Sequence, residues 1–92
     1  MHDLTGFQRD LLYVIAGKDN PHGLALKSEL EEYYGKEINH GRLYPNLDTL
    51  VKKGLVEKGT IDDRTNSYAV TQRGEREIDA RRDWEEDYVD LT

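Results

Sequence analysis

Residues 39–56, NHGRLYPNLDTLVKKGLV, decide how this chain is read. At 3.6 residues per turn, Leu43, Leu47, Leu50 and Val51 gather on one side of a helix, with Tyr44 at the border. Arg42, Asn46, Thr49, Lys52 and Lys53 turn the other way. These are side chains suited to base edges and phosphates. Gly54 closes the helix, and apolar β-formers follow at once. A reader of double-stranded DNA needs one face to bury and another to offer Arg, Asn, Thr and Lys. Many surface helices carry some polar face, so the flanking sequence has to decide.

Upstream, a first helix is expected from Thr5 to about Ala16, with Phe7, Leu11, Val14 and Ile15 at helical intervals. Thr5 and Gln8 have capping-box spacing, and Gly17 ends the run. Asn20-Pro21 reads as an N-cap followed by proline at the first helical position. The second helix then continues to Tyr34, burying Leu24, Leu26, Leu30 and Tyr33, and Gly35 closes it. Lys36-Glu37-Ile38 suits a short strand, and Asn39 or His40 caps the third helix.

Downstream of Gly54 the apolar period changes to two. Leu55 to Ile61 reads as a strand, Asp62 to Asn66 as a turn and Ser67 to Val70 as the returning strand. Thr71 caps a last helix running to about Leu91, with Ile78, Arg81, Trp84, Tyr88 and Leu91 along one stripe. Only Met1–Leu4 and the final residues are expected to fray. The fold class expected is mainly α with a small β-wing: a winged helix-turn-helix of order α-α-(β)-α-β-β-α. Residues 1–74 would form the winged domain and 75–92 its C-terminal dimerisation helix.

Composition narrows the function. Ninety-two residues make one domain, 36% apolar and 35% charged, hence a modest core under a heavily ionised surface. The absence of cysteine excludes thiol catalysis, disulfides and thiolate zinc sites. His2, His22 and His40 lack metal-ligand spacing, so no metal and no cofactor is expected. The first twenty residues lack a basic region followed by an apolar run, and no stretch approaches a membrane span. A cytoplasmic protein without membrane attachment is the expectation. No catalytic triad, phosphate loop or pocketed carboxylate pair appears, so an enzyme is not expected.

The net charge of −6 runs against a DNA-binding role until its distribution is considered. From Glu75 onward eight acids face Arg76, Arg81 and Arg82, a net of −5. Residues 36–74 carry seven bases and five acids, a net of +2. The acid is therefore concentrated in the tail. Ten Asp and nine Glu against six Lys also suit a cytoplasm of high salt, as in a halophile.

Four words carry a specific resemblance: His22-Gly23, LYPNL from Leu43 to Leu47, GLV from Gly54 to Val56, and SYAVTQRG from Ser67 to Gly74. In this order and spacing the chain resembles PadR-like transcriptional regulators over residues 7–80. It departs at Leu24, where the family often has an aromatic residue, and in its short acidic last helix. The resemblance implies a recognition helix beginning near Asn39 and a homodimer formed through the last helix. It also implies that Tyr44 reaches a DNA phosphate, although its wheel position suits packing equally well.

The expected DNA-facing set is Asn39, His40, Arg42, Tyr44, Asn46, Thr49, Lys52 and Lys53, with Lys58, Arg64, Thr65 and Asn66 on or near the wing. In a major groove Arg suits guanine O6 and N7, Asn suits adenine, and Thr suits a thymine methyl. Asn39 and His40 stand where free helix N–H groups favour a phosphate. Pro45 deletes the hydrogen bond to the Gly41 carbonyl, a local irregularity that Gly41 can absorb. Ile78, Arg81, Trp84, Tyr88 and Leu91 form the expected dimer seam. The partners expected are double-stranded DNA and a second copy of the chain, the regulator being a repressor on an inverted repeat. Two other readings stay open: a winged-helix protein–protein module, and a sensor with a small-molecule effector at the dimer interface.

Overall fold

The computed structural model describes residues 1–89; Leu91, expected in the dimer seam, lies outside them. Three helices come first: α1 (Gly6–Gly17), α2 (Gly23–Tyr34) and α3 (His40–Lys52). A two-stranded wing, β1 (Val56–Asp62) and β2 (Thr65–Val70), leads into α4 (Gln72–Glu86). This is a winged helix-turn-helix, mainly α with a small antiparallel β-wing.

The capping box at α1 forms as the spacing predicts. The Gln8 N–H donates to Thr5 Oγ1, and the Thr5 N–H donates back to Gln8 Oε1. Leu11, Leu12 and Ile15 of α1 then meet Leu26 and Leu30 of α2 and Leu43, Leu47 and Leu50 of α3 in one buried cluster. Each fully buried leucine contributes about 1.5–3 kcal/mol relative to exposure. Leu55, Val56 and Tyr68 close the cluster from the base of the wing.

Several local expectations give way. α2 begins at Gly23 with His22 as N-cap, two residues after the expected start at Pro21. Asn20 takes a left-handed φ of 47°, and the Pro21 carbonyl accepts the Tyr68 N–H at 2.9 Å. Tertiary pairing thus draws Pro21 toward the wing. Lys36-Glu37-Ile38 forms no strand; the Ile38 N–H donates to the Glu31 carboxylate and its side chain enters the core. The extra bridge to the wing comes instead from His22, paired with Ser67.

Leu24 and Tyr33, expected to be buried, are 52% and 77% exposed. The buried stripe of α2 runs through Leu26 and Leu30, with Tyr34 turned to the core rather than Tyr33. The wing is also tighter than expected, because strand pairing reaches Asp62 and resumes at Thr65. Thr65 and Asn66 are therefore strand residues, and Asp62 Oδ1 accepts the Arg64 N–H across the two-residue tip. At the N-terminus Leu4 is buried rather than frayed, its N–H bonded to the Met1 carbonyl. The α4 helix ends at Glu86, short of the expected Leu91.

Tyr34 donates its hydroxyl to Asp10 of α1. Partial burial, reinforced by the Asp10 carboxylate, pushes its ionisation up to about 12 from an ordinary 10.0. In the unfolded chain the phenol ionises near its ordinary value. The associated stability is full below that value and is lost as pH rises toward the folded one. Urea unfolding of wild type and Tyr34→Phe at about pH 9 and about pH 11.5 should show the wild-type advantage shrinking with pH. An advantage that stays constant would contradict the assignment.

Candidate nucleic-acid interface

The α3 helix is held by its leucines, with Leu43, Leu47 and Leu50 fully buried. Asn39 caps it, its side chain accepting the Arg42 N–H at 2.8 Å, and a left-handed Gly54 (φ 76°) turns the chain into the wing. Pro45 sits inside the helix, and Gly41, whose carbonyl loses its usual partner, is exposed to water. Thr49 Oγ1 donates to the Pro45 carbonyl one turn on.

The expected reading face divides into two groups. Arg42 is exposed, and its guanidinium lies 4.1 Å above the Phe7 ring centroid, a cation–π contact that rests its head on α1. Asn46 is half-buried and bonded on both sides, to Gln8 and to the Arg42 carbonyl. Thr49 is half-buried, and Lys52 is exposed. Lys53 is paired with Asp3 at 2.9 Å, and its ammonium holds the Asp3 carboxyl below its ordinary value. Lys58 lies 3.7 Å from Asp48. These ion pairs are solvent-exposed, and such pairs contribute little to stability. Neither lysine is locked away from a phosphate.

Tyr44 explains one of the family words. A Cβ on Gly23 would lie 2.6 Å from the Tyr44 hydroxyl and 2.8 Å from its ring, so the Tyr44 ring occupies the place a side chain would take. Packing and hydroxyl exposure are compatible here, since Tyr44 is half-buried. His40, exposed, meets the Tyr44 ring edge-on at 5.6 Å. Tyr44, His22 and Leu24 face Arg64, Thr65 and Asn66 across a groove of about 230 Å³. The recognition helix and the wing thus share one concave surface with the start of α2. Exposed Asn39, by contrast, is occupied mainly in capping.

The contribution of α1 to this face is not legible in the sequence. Phe7 and Gln8 support Arg42 and Asn46 from below. The capping-box spacing marked Gln8, but that signal assigned it to α1 alone. The word His22-Gly23 has a role that its sequence does not display: Gly23 makes room for Tyr44.

On α4 Ile78 is half-buried and Trp84 is 51% exposed, and Tyr88 in the turn after the helix is 73% exposed. Arg81 lies over the Trp84 ring at 4.6 Å, and the Trp84 and Tyr88 rings are 5.0 Å apart. Among the described residues no group of His, Asp and Glu converges as a metal site, and no helix is long and apolar enough to cross a membrane.

A complex structure of hsRosR-S1 is 55% identical with a TM-score of 0.89, covering 94% of this chain and 76% of its own. H. salinarum RosR, in a crystal grown from NaBr, is 52% identical with a TM-score of 0.90, covering 98% and 81%. MarR, at 23% identity and a TM-score of 0.68, shares the fold alone. No curated protein matches the sequence. The match to the "Transcriptional regulator PadR-like family" runs over residues 11–80, from the middle of α1 through the wing into α4. With the recognition helix and wing disposed around one groove, the chain belongs to that family and is a DNA-binding transcriptional regulator, not an enzyme.

Proposed function

We propose that this regulator acts in the cytoplasm as a homodimeric repressor on an inverted-repeat operator. Residues 1–74 are the DNA-reading domain and residues 75–92 supply the dimerisation helix. Each subunit lays α3 in a major groove and rests the wing, through Arg64, Thr65 and Asn66, on the flanking backbone or minor groove. The observation that carries the reading is the shared groove surface. Arg42, Thr49 and Lys52 of α3 lie on the same helix as Tyr44, which faces the exposed wing tip. Two-fold symmetry sets half-sites about 10 bp apart or at a multiple of the turn. Repression would proceed by promoter occlusion, the dimer covering the sequence it reads. The acidic tail and the relatedness to RosR of H. salinarum suit a high-salt cytoplasm.

Fluorescence anisotropy with duplex DNA at several salt concentrations tests the reading. Random duplex should bind at low salt and weaken steeply as salt rises. Arg42→Ala should cost about 1–3 kcal/mol on the preferred operator and relax selection at one base pair. Lys52→Ala should weaken all sequences alike and lower the salt slope by about one. Absence of binding even at low salt would sink the proposal.

A further inference from the structure

We propose that Gln8, a buried residue of α1, determines which base edge Asn46 of α3 reads. The inference rests on α3 being the groove-facing helix. Its basis is a run of hydrogen bonds whose direction is fixed at both ends. At one end the Thr5 backbone N–H, which can only donate, meets Gln8 Oε1 at 3.1 Å. Gln8 Nε2 therefore faces the other way and donates to Asn46 Oδ1 at 2.9 Å. Asn46 Nδ2 then donates to the Arg42 backbone carbonyl, which can only accept, at 2.7 Å. Turning over either amide would set donor against donor or acceptor against acceptor.

The consequence falls on the exposed edge of Asn46. Its carbonyl is engaged from α1, and one amide hydrogen is engaged by the helix. One N–H remains. The Asn46 carbonyl keeps a second lone pair, but the Gln8 bond turns that oxygen toward α1. Two-point pairing with adenine, which needs carbonyl and amide together, therefore gives way to the free N–H. A lone donor instead selects an acceptor edge: purine N7, guanine O6 or thymine O4. The cytosine amino group would meet it donor to donor. Gln8 is thus a positioning residue: the capping box that starts α1 also sets the polarity of one reading residue in α3.

Gln8→Glu isolates this polarity. Glutamate still accepts the Thr5 N–H, because a Thr-x-x-Glu sequence is itself a capping box. Its second oxygen cannot donate to Asn46. For its amide to meet Glu, Asn46 must turn over and give up the Arg42 carbonyl, its own carbonyl swinging away from that acceptor toward the groove. Preference at that base pair should then move to a donor edge, the amino group of adenine or cytosine. Gln8→Ala releases Asn46 altogether, so the same position should tolerate both kinds of edge.

The test is selection of bound sites from a random duplex library by the full chain in wild-type, Gln8→Glu, Gln8→Ala and Asn46→Ala forms. Wild type should favour an acceptor-edge base about tenfold at one position of each half-site, a preference worth about one hydrogen bond. Asn46→Ala should lose that preference, Gln8→Glu reverse it and Gln8→Ala flatten it, with the other positions unchanged. If wild type selects a site and both Gln8 variants select the identical one, or merely bind all sequences more weakly, the inference is overturned while groove reading by α3 stands. If wild type selects no sequence at all, the groove reading fails and takes the inference with it.

Discussion

Replacing Gly74 with alanine is expected to cost about 3 kcal/mol of folding stability, an overpacking penalty at the upper end of its class. Gly74 lies in the first turn of α4, where that helix crosses the entry to the wing. A Cβ there would fall inside the contact distance of the Leu55 carbonyl oxygen and lie 2.6 Å from Val70 Cγ1. Neither neighbour is a flexible side-chain end. The Leu55 carbonyl accepts the Thr71 N–H at 3.0 Å, and Thr71 Oγ1 donates to the Gly54 carbonyl at 2.7 Å while accepting the Gly74 N–H at 3.0 Å. Lifting α4 to admit a methyl would therefore open the knot joining α3, β1, β2 and α4. For a domain of this size the loss corresponds to a fall of about 15 °C in Tm. Gly17→Ala is the control, since a Cβ there meets nothing within 4 Å and should leave stability level or slightly raised. Thermal and urea unfolding of both variants measures the contrast. A Gly74→Ala chain within about 0.5 kcal/mol of wild type, the usual scatter of neutral substitutions, would show that the crossing is not a tight one.

That crossing also shows what the sequence could reveal. Gly23, Gly54 and Gly74 stand in the words that resemble the PadR-like family, and each has a separate physical reason. One makes room for Tyr44, one turns left-handed after α3, and one admits a neighbouring backbone. The words were legible in order and spacing; their contacts were not, because each contact joins segments distant in sequence. The α3 helix was legible almost residue by residue, since its cap, leucine stripe and glycine stop are all local. The errors fell where tertiary pairing overrode a local signal. Asn20-Pro21 has the chemistry of a helix start, yet the Tyr68 N–H claims the Pro21 carbonyl. Lys36 to Ile38 has strand propensity, yet Glu31 takes the Ile38 N–H that a strand partner would need. Within the reading face, helix periodicity grouped Asn46 with Arg42 and Thr49 but could not show α1 holding its amide.

Trp84→Asp is expected to convert the proposed dimer to a folded monomer and to lower operator affinity by about 10²- to 10⁴-fold, the avidity lost when two linked half-site contacts become one. Trp84 is half-exposed, and its cation–π partner Arg81 and aromatic partner Tyr88 lie on α4 and in the turn just after it. Its removal therefore leaves the three-helix core and wing base untouched. Acid at this position would place a charge in a seam where Trp84 of α4 and Tyr88 and Val89 just beyond it offer exposed apolar surface in an otherwise acidic segment. Repulsion between two copies would add to the lost burial, whereas Trp84→Phe should keep most of the dimer. Sedimentation equilibrium gives the oligomeric state, and anisotropy on the same samples gives affinity for a full inverted repeat and for an isolated half-site. The half-site affinity should hardly change, because α3 and the wing are intact, and the full-site advantage should vanish. A Trp84→Asp chain that remains dimeric would remove this seam from the interface. A monomer that kept full-site affinity would show that two-fold binding is not how the regulator holds its operator.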